Sequence, residues 1–267
     1  MPLTDFQKSV LAVIRPFRNE LNYVGGGAAL NQSWARISDD MDVFDDHRQR
    51  LPGNVDQELE ALRGEGYAIE LTTEDEWMVE AIVRKYGFET RIQWMDESET
   101  SRRFFPTVDD EELGFRLHQA DAAVNKVLCA ARRKTAARDA VDLVTIVQEY
   151  APIGPLVWAV AGKDDALTPP QTLQSIRNNV FGYADEEIRA VRIEGKDVTR
   201  DIVRAVLEPA LQRASDYCLD DAPQDRLGQL FVDAGEMPVE ANDDALANGT
   251  AIAIEIKNFG VTPILVT

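Results

Sequence analysis

The run Gly25-Gly26-Gly27, followed by Ser38-Asp39-Asp40-Met41-Asp42-Val43-Phe44, constrains this chain more than any other feature. Residues 21–24 read as a short strand entering the glycines, and residues 27–34 as a helix leaving them. Glycine there permits positive φ and lets the backbone come close to a phosphate. Residues 37–44 read as a second strand, bracketed by apolar Ile37, Met41, Val43 and Phe44. Residues two apart in a strand point the same way. Ser38, Asp40 and Asp42 therefore share a face, with the two aspartate Cα atoms about 7 Å apart. Asp39 points to the other face, and Asp45 and Asp46 read as turn caps. Carboxylates held this close repel each other, and a divalent cation relieves the repulsion. Mg²⁺ takes hard oxygen ligands and keeps waters and substrate phosphates in its shell. A glycine turn beside two such carboxylates points to nucleotide chemistry. No Gly-Lys-Ser/Thr follows the glycines, so this is not a P-loop, and the dinucleotide fingerprint is also absent.

The rest of the pattern places these residues in an α/β (α+β) fold. Phe6, Val10, Val13, Ile14 and Phe17 recur at helical spacing behind Thr4, which predicts a helix over 4–19 capped by Thr4. A second helix is expected over 55–64, stopped by Gly64 and Gly66. Segments 77–85 and 88–95 alternate, and Tyr86-Gly87 between them predicts a hairpin. From Asp121 onward the pattern is helical, over 121–137, 139–149, 156–161, 169–179 and 198–217. Strand-like segments return at 230–232, 251–256 and 262–266. The expected organisation is an α/β core with a small mixed sheet over 1–118, a helical region over 119–226 and a β-prone tail over 227–267.

Composition excludes several classes. Two cysteines, Cys129 and Cys218, are too few for a disulfide framework, and with only His47 and His118 a structural zinc site is not expected. No stretch approaches the roughly 20 apolar residues that span a bilayer, and residues 1–20 lack a signal pattern, so a cytoplasmic protein without membrane contact is expected. The net charge of −19 argues against broad nucleic-acid binding. Basic residues do cluster at Lys126, Arg132-Arg133-Lys134 and Arg138. His118 reads as structural, and Cys129 has no histidine near it in sequence.

In Arg138-Asp139-x-x-Asp142-Leu143, Asp139 and Asp142 lie three apart and share a helix face. Asp139 also suits an N-cap. Taken by itself this is a capped helix with surface ion pairs.

Together, Gly25-Gly26, Ser38-x-Asp40-x-Asp42, Lys126 and Arg138-Asp139-x-x-Asp142-Leu143 resemble the nucleotidyltransferase toxins of the AbiEii/AbiGii type, within the DNA polymerase β-like superfamily. The order and spacing match over residues 23–150. The resemblance implies a polymerase β-like core that uses Mg²⁺ or Mn²⁺ to move a nucleoside monophosphate from an NTP to an acceptor. It implies a toxin–antitoxin or phage-defence role, with a cognate antitoxin as partner and a tRNA 3′ end as acceptor. A protein or small-molecule acceptor is easier to reconcile with the charge. By the same resemblance Gly25, Gly26 and Ser38 hold triphosphate oxygens, and Asp40 and Asp42 ligate the metal. Lys126 contacts phosphates, Asp139 is the essential acid and Asp142 assists it. One position departs from the pattern: Gln93 stands where a third carboxylate is expected, and Asp96 lies three residues further on. Glutamine is no general base and a poorer metal ligand. The alternative reading is therefore a protein that keeps the fold and binds a nucleotide or a partner with little or no turnover.

Overall fold

A computed structural model of the chain describes residues 3–31, 36–47, 51–97, 101–134 and 136–259, with the backbone alone for 52–54. The chain forms two compact units, one made of Met1–Ala122 with Lys257–Thr267 and the other of Ala123–Ile256.

The first unit runs α1 (Asp5–Ile14), β1 (Asn22–Val24), α2 (Gly26–Leu30), β2 (Asp40–Asp45), α3 (Leu51–Gly64), β3 (Ala68–Glu74), β4 (Met78–Lys85), β5 (Phe88–Asp96), β6 (Arg102–Arg103), β7 (Val108–Asp110) and β8 (Gly114–Arg116). Among the described residues its main sheet has seven strands in the order β3-β4-β5-β2-β1-β8-β7. β2 runs parallel to β5 and β1 parallel to β8, while the other neighbours are antiparallel. The mixed α+β fold is thus the one expected from the alternating and helical segments. The short strands β6, β7 and β8 are additions, too brief to show a period.

Local chemistry explains the element ends. Thr4 caps α1 through a reciprocal box with Gln7. The α-helix stops at Ile14, well before residue 19, and a 3₁₀ turn follows over Arg15–Phe17. Pro16 lacks an N–H and cannot continue the helical ladder. The Tyr86-Gly87 turn has φ of 54° and 83°, the positive pair that matches the twist of a two-residue hairpin.

One face of the sheet forms the core. Met41 and Val43 of β2, Val79, Ala81 and Val83 of β4, and Ile92 and Trp94 of β5 pack with Val10, Leu11 and Ile14 of α1 and Val55, Leu59 and Leu62 of α3. Inside this layer Arg18 and Glu58 form an ion pair with both side chains almost fully buried. Trp94 Nε1 donates to Glu58 Oε2 at 2.9 Å. Burial pushes the Glu58 carboxyl above its usual range, against the pull of Arg18.

The second unit contains most of α4 (Gln119–Arg132), then α5 (Ala137–Glu149), α6 (Ile153–Lys163), α7 (Pro169–Val180), α8 (Asp185–Arg189), α9 (Arg200–Asp216), β9 (Leu230–Val232), α10 (Asp243–Ala247) and β10 (Ile252–Ile254). α9 packs on α5, α6 and α7 through Val203, Leu207, Ala210, Leu211 and Ala214. β9 and β10 pair antiparallel. β11 (Lys257–Asn258) belongs to the first unit, where it pairs with β6. The expected strand over 262–266 lies outside the described residues. No described helix is long and apolar enough to cross a membrane.

The Arg18–Glu58 pair yields a test. Arg18→Ala leaves a buried carboxylate uncompensated and should cost about 3–5 kcal/mol in equilibrium urea unfolding. Arg18→Met combined with Glu58→Gln should recover much of that loss, because neither charge is then stranded.

Candidate functional site

The glycine turn is built against β2. The Gly25 N–H donates to the Asp42 carbonyl oxygen at 2.8 Å. Gly26 has φ of +55°, and a Cβ there would run into the Asp42 carboxylate. A Cβ on Gly25 would strike the Phe44 ring, and one on Gly27 would strike the Arg36 guanidinium and lie 2.9 Å from Ser38 Oγ. Gly26 is therefore required by its positive φ, while a side chain at Gly25 or Gly27 would force Phe44 or Arg36 to move. Since the Gly25 amide is committed to Asp42, what Gly25 offers a ligand is space. α2 extends over only five described residues, so its dipole contributes less than the helix expected over 27–34.

Ser38 is positioned from α1. Gln7 Oε1 accepts from the Thr4 N–H at 2.8 Å, and its Nε2 donates to the Ser38 carbonyl oxygen at 2.9 Å. The Ser38 hydroxyl is buried and, among the described residues, has no hydrogen-bond partner. Arg36 is also buried, with Nη1 donating to the Ile37 carbonyl oxygen at 3.2 Å. The sequence reading missed Arg36. The signal was present, because Arg36 extends by one step the alternation of Ser38, Asp40 and Asp42.

Asp40 and Asp42 lie on the sheet face opposite the core, as the alternation with buried Met41 and Val43 requires. Asp40 is buried, Asp42 half-buried and Asp39 exposed. Across the parallel pairing, Asp40 stands beside Arg91 and Asp42 beside Gln93. Across the hairpin, Gln93 stands beside Glu80. One row thus runs Asp42, Gln93, Glu80 over β2, β5 and β4. Asp96 pairs with Asp45 at the far end of β2, away from Asp42. Glu80 was not foreseen. It is reached only by counting equal steps back from the Tyr86-Gly87 turn. The Thr72 hydroxyl, followed by the Gln93 amide and Arg91, holds the Glu80 carboxyl below the usual carboxylate range.

Asp40 and Asp42 offer hard oxygen donors, and beside the turn lies the buried Ser38 hydroxyl, which has no partner among the described residues. Among the described residues no group of three or more His, Cys, Asp or Glu side chains is placed to hold a metal. A cation on these two carboxylates would complete its shell with water and phosphate oxygens. That is the habit of Mg²⁺ at phosphate sites rather than of a caged structural metal. The residues present fit such an ion.

In the second unit Lys126, Asp139 and Asp142 come together. Lys126 Nζ lies 3.1 Å from Asp139 Oδ1 and 3.0 Å from Asp142 Oδ2, and all three side chains are largely buried. Asp139 Oδ2 is buried and, among the described residues, has no hydrogen-bond partner. The arrangement is a buried lysine held between two carboxylates rather than a set of surface ion pairs. Residues remote in sequence support it. Asn179 Nδ2 donates to the Ala130 and Ala131 carbonyl oxygens at 2.9 and 3.0 Å, closing the end of α4. The Tyr183 hydroxyl accepts the Ala136 N–H at 3.0 Å where α5 has no side-chain cap. In the basic segment, Arg132 is bound to Asp164 and Arg133 donates to Cys129 Sγ at 2.7 Å. His118 stacks on Phe105. Burial pushes the Cys218 thiol up to about 12, which leaves it inert as a nucleophile.

No protein-family model matches the chain, and no curated protein sequence matches it. Its structure is similar to that of JHP933 from Helicobacter pylori, with a TM-score of 0.50 at 16% identity over 80% of this chain and 95% of that one. That likeness establishes a shared fold and says nothing about chemistry. A second H. pylori structure, named as a candidate nucleotidyltransferase, covers the same shares at 16% identity with a TM-score of 0.48, too low to carry an argument.

Two variants test the geometry. Gly26→Ala forces a side chain into a positive-φ position against Asp42, and should cost about 1–3 kcal/mol in thermal or urea unfolding. Lys126→Met strands two buried carboxylates and should cost about 3–5 kcal/mol, part of which returns when Asp142→Asn is added.

Proposed function

We propose that the protein is a metal-dependent nucleotidyltransferase that moves a nucleoside monophosphate from an NTP to an acceptor hydroxyl. The observation that carries this reading is the glycine turn closed on Asp42, with the buried Ser38 hydroxyl seeking a partner beside it. Gly26 and Ser38 hold triphosphate oxygens, Gly25 keeps the approach open and Arg36 offsets phosphate charge. Asp40 and Asp42 hold Mg²⁺ or Mn²⁺, which when bound supplies Lewis-acid polarisation of the phosphoryl oxygens. The acceptor oxygen attacks the α-phosphorus and the bond to the β-phosphate's bridging oxygen breaks. Pyrophosphate departs with that electron pair, and the acceptor's proton passes to water.

The same reading gives Lys126 a phosphate contact, makes Asp139 the essential acid and has Asp142 assist. The lysine already faces two carboxylates, so it reaches a phosphate only by loosening one of them. We extend the proposal to a toxin of a toxin–antitoxin or phage-defence system, with a cognate antitoxin as partner. Arg132 and Arg133 are engaged within the chain and the net charge is −19. These facts favour a protein or small-molecule acceptor over tRNA.

Gln93 favours a second reading, nucleotide binding without transfer. Incubation with labelled NTPs, Mg²⁺ and total RNA or protein separates the two. Transfer predicts label on an acceptor and released pyrophosphate, with Asp40→Ala lowering the yield at least about 100-fold. Equal labelling by Asp40→Ala sinks the assigned site. Mg²⁺-dependent NTP binding with no pyrophosphate release supports the second reading.

A further inference from the structure

The polar face of the sheet carries one interaction that the proposed reaction has not used. Gln93 Nε2 donates to Glu80 Oε2 at 2.6 Å, and the Thr72 hydroxyl donates to Glu80 Oε1 at 2.6 Å. Both carboxylate oxygens are thus held. Arg91 Nη1 lies 3.9 Å from Glu80 Oε2. The Thr72 contact comes from a break in strand pairing. Leu71 stands opposite Ala81 and Thr73 opposite Glu80, so Thr72 is an extra residue in β3. Such bulges re-aim a side chain and are frequent beside active sites.

A carboxylate only accepts hydrogen bonds. The amide of Gln93 can therefore face Glu80 only with its nitrogen. Its carbonyl oxygen is then the end of the amide not bonded to Glu80, on a residue that stands one strand from Asp42 in the same row. We infer that Gln93 serves the Asp40–Asp42 cation site as a neutral oxygen ligand, and that Glu80 is the positioning residue that fixes its amide in that orientation. This rests on the reading of Asp40 and Asp42 as cation ligands. Gln93 then stands in for a carboxylate by its geometry, and Glu80 supplies that geometry. Glutamine at position 80 would remove the constraint, because two amides pair equally well either way round.

The test is calorimetric titration of the full chain with Mn²⁺ in the absence of nucleotide, with thermal unfolding as a check on folding. Glu80→Gln should weaken Mn²⁺ binding about 10-fold, the usual effect of losing a residue that orients a ligand, and Gln93→Leu at least as much. The exchange of the two groups, Glu80→Gln with Gln93→Glu, puts a carboxylate beside Asp42 with an amide behind it. It should bind Mn²⁺ more tightly than wild type, a gain that a merely structural role for Glu80 does not produce. If Asp42→Asn abolishes binding while Glu80→Gln and Gln93→Leu leave it unchanged, or if the exchange fails to tighten it, the inference is overturned and the cation site stands. If the wild-type chain takes up no Mn²⁺, both are overturned.

Discussion

β2 is hydrogen-bonded on both sides, antiparallel to β1 and parallel to β5, and this double pairing decides what each of its residues can do. Met41 and Val43 are fully buried against α1 and α3. A slip of one residue would move them to the polar face and drive Asp40 and Asp42 into the core. The register is therefore set by apolar burial, and the spacing of the two carboxylates follows from it. The glycine turn follows too, since its first amide bonds the backbone of Asp42 and its second glycine lies against that residue's carboxylate. Even Ser38 is tied to the same frame, through Gln7 and the cap of α1. A core of ordinary aliphatic packing thus places each polar group of the site.

What could be read in the sequence was what is local. The two-residue period of 38–44 exposes Asp40 and Asp42 on one face without knowledge of any neighbour. Thr4 with Gln7, and Tyr86 with Gly87, announce a cap and a turn within four residues. Arg36 obeys the same period as Asp40, and is lost only when the strand is taken to begin at Ile37. Glu80 is a different case. Its place beside Gln93 follows from the hairpin, but its place near Asp42 needs the strand order β4-β5-β2, which a parallel pairing creates and no turn predicts. Asn179 and Tyr183 lie more than forty residues from the backbone they support, and nothing in a helix pattern marks such a partner. The second constellation is hidden in the sequence for the same reason. A spacing of three shows that Asp139 and Asp142 share a face, but not that a buried lysine lies between them.

The two carboxylate clusters handle negative charge differently. Around Lys126 one buried cation is in contact with two carboxylates. A group of that kind is a stable part of a fold, and it changes only when one pair opens. The sheet face spreads its charge across strands instead. Asp40 stands beside Arg91, Asp42 beside an amide, and the next carboxylate is one strand further out at Glu80.

That displacement gives Gln93 a physical explanation. With Glu80 Oε2 only 2.6 Å from the side chain at position 93, an acid there would bring two carboxylates into contact. One of them would have to take up a proton. The amide avoids this: it satisfies Glu80 through its nitrogen and keeps an oxygen available on its other end. Thr72, aimed by the bulge in β3, takes the second oxygen of Glu80. The next carboxylate of the row after Asp42 is Glu80, one strand beyond Gln93. Its charge sits where two donors already stabilise it, and the position next to Asp42 keeps an oxygen without a second charge. The residues at 72, 80 and 93 make sense together, since changing any one of them alone leaves a donor or an acceptor on this face without its partner.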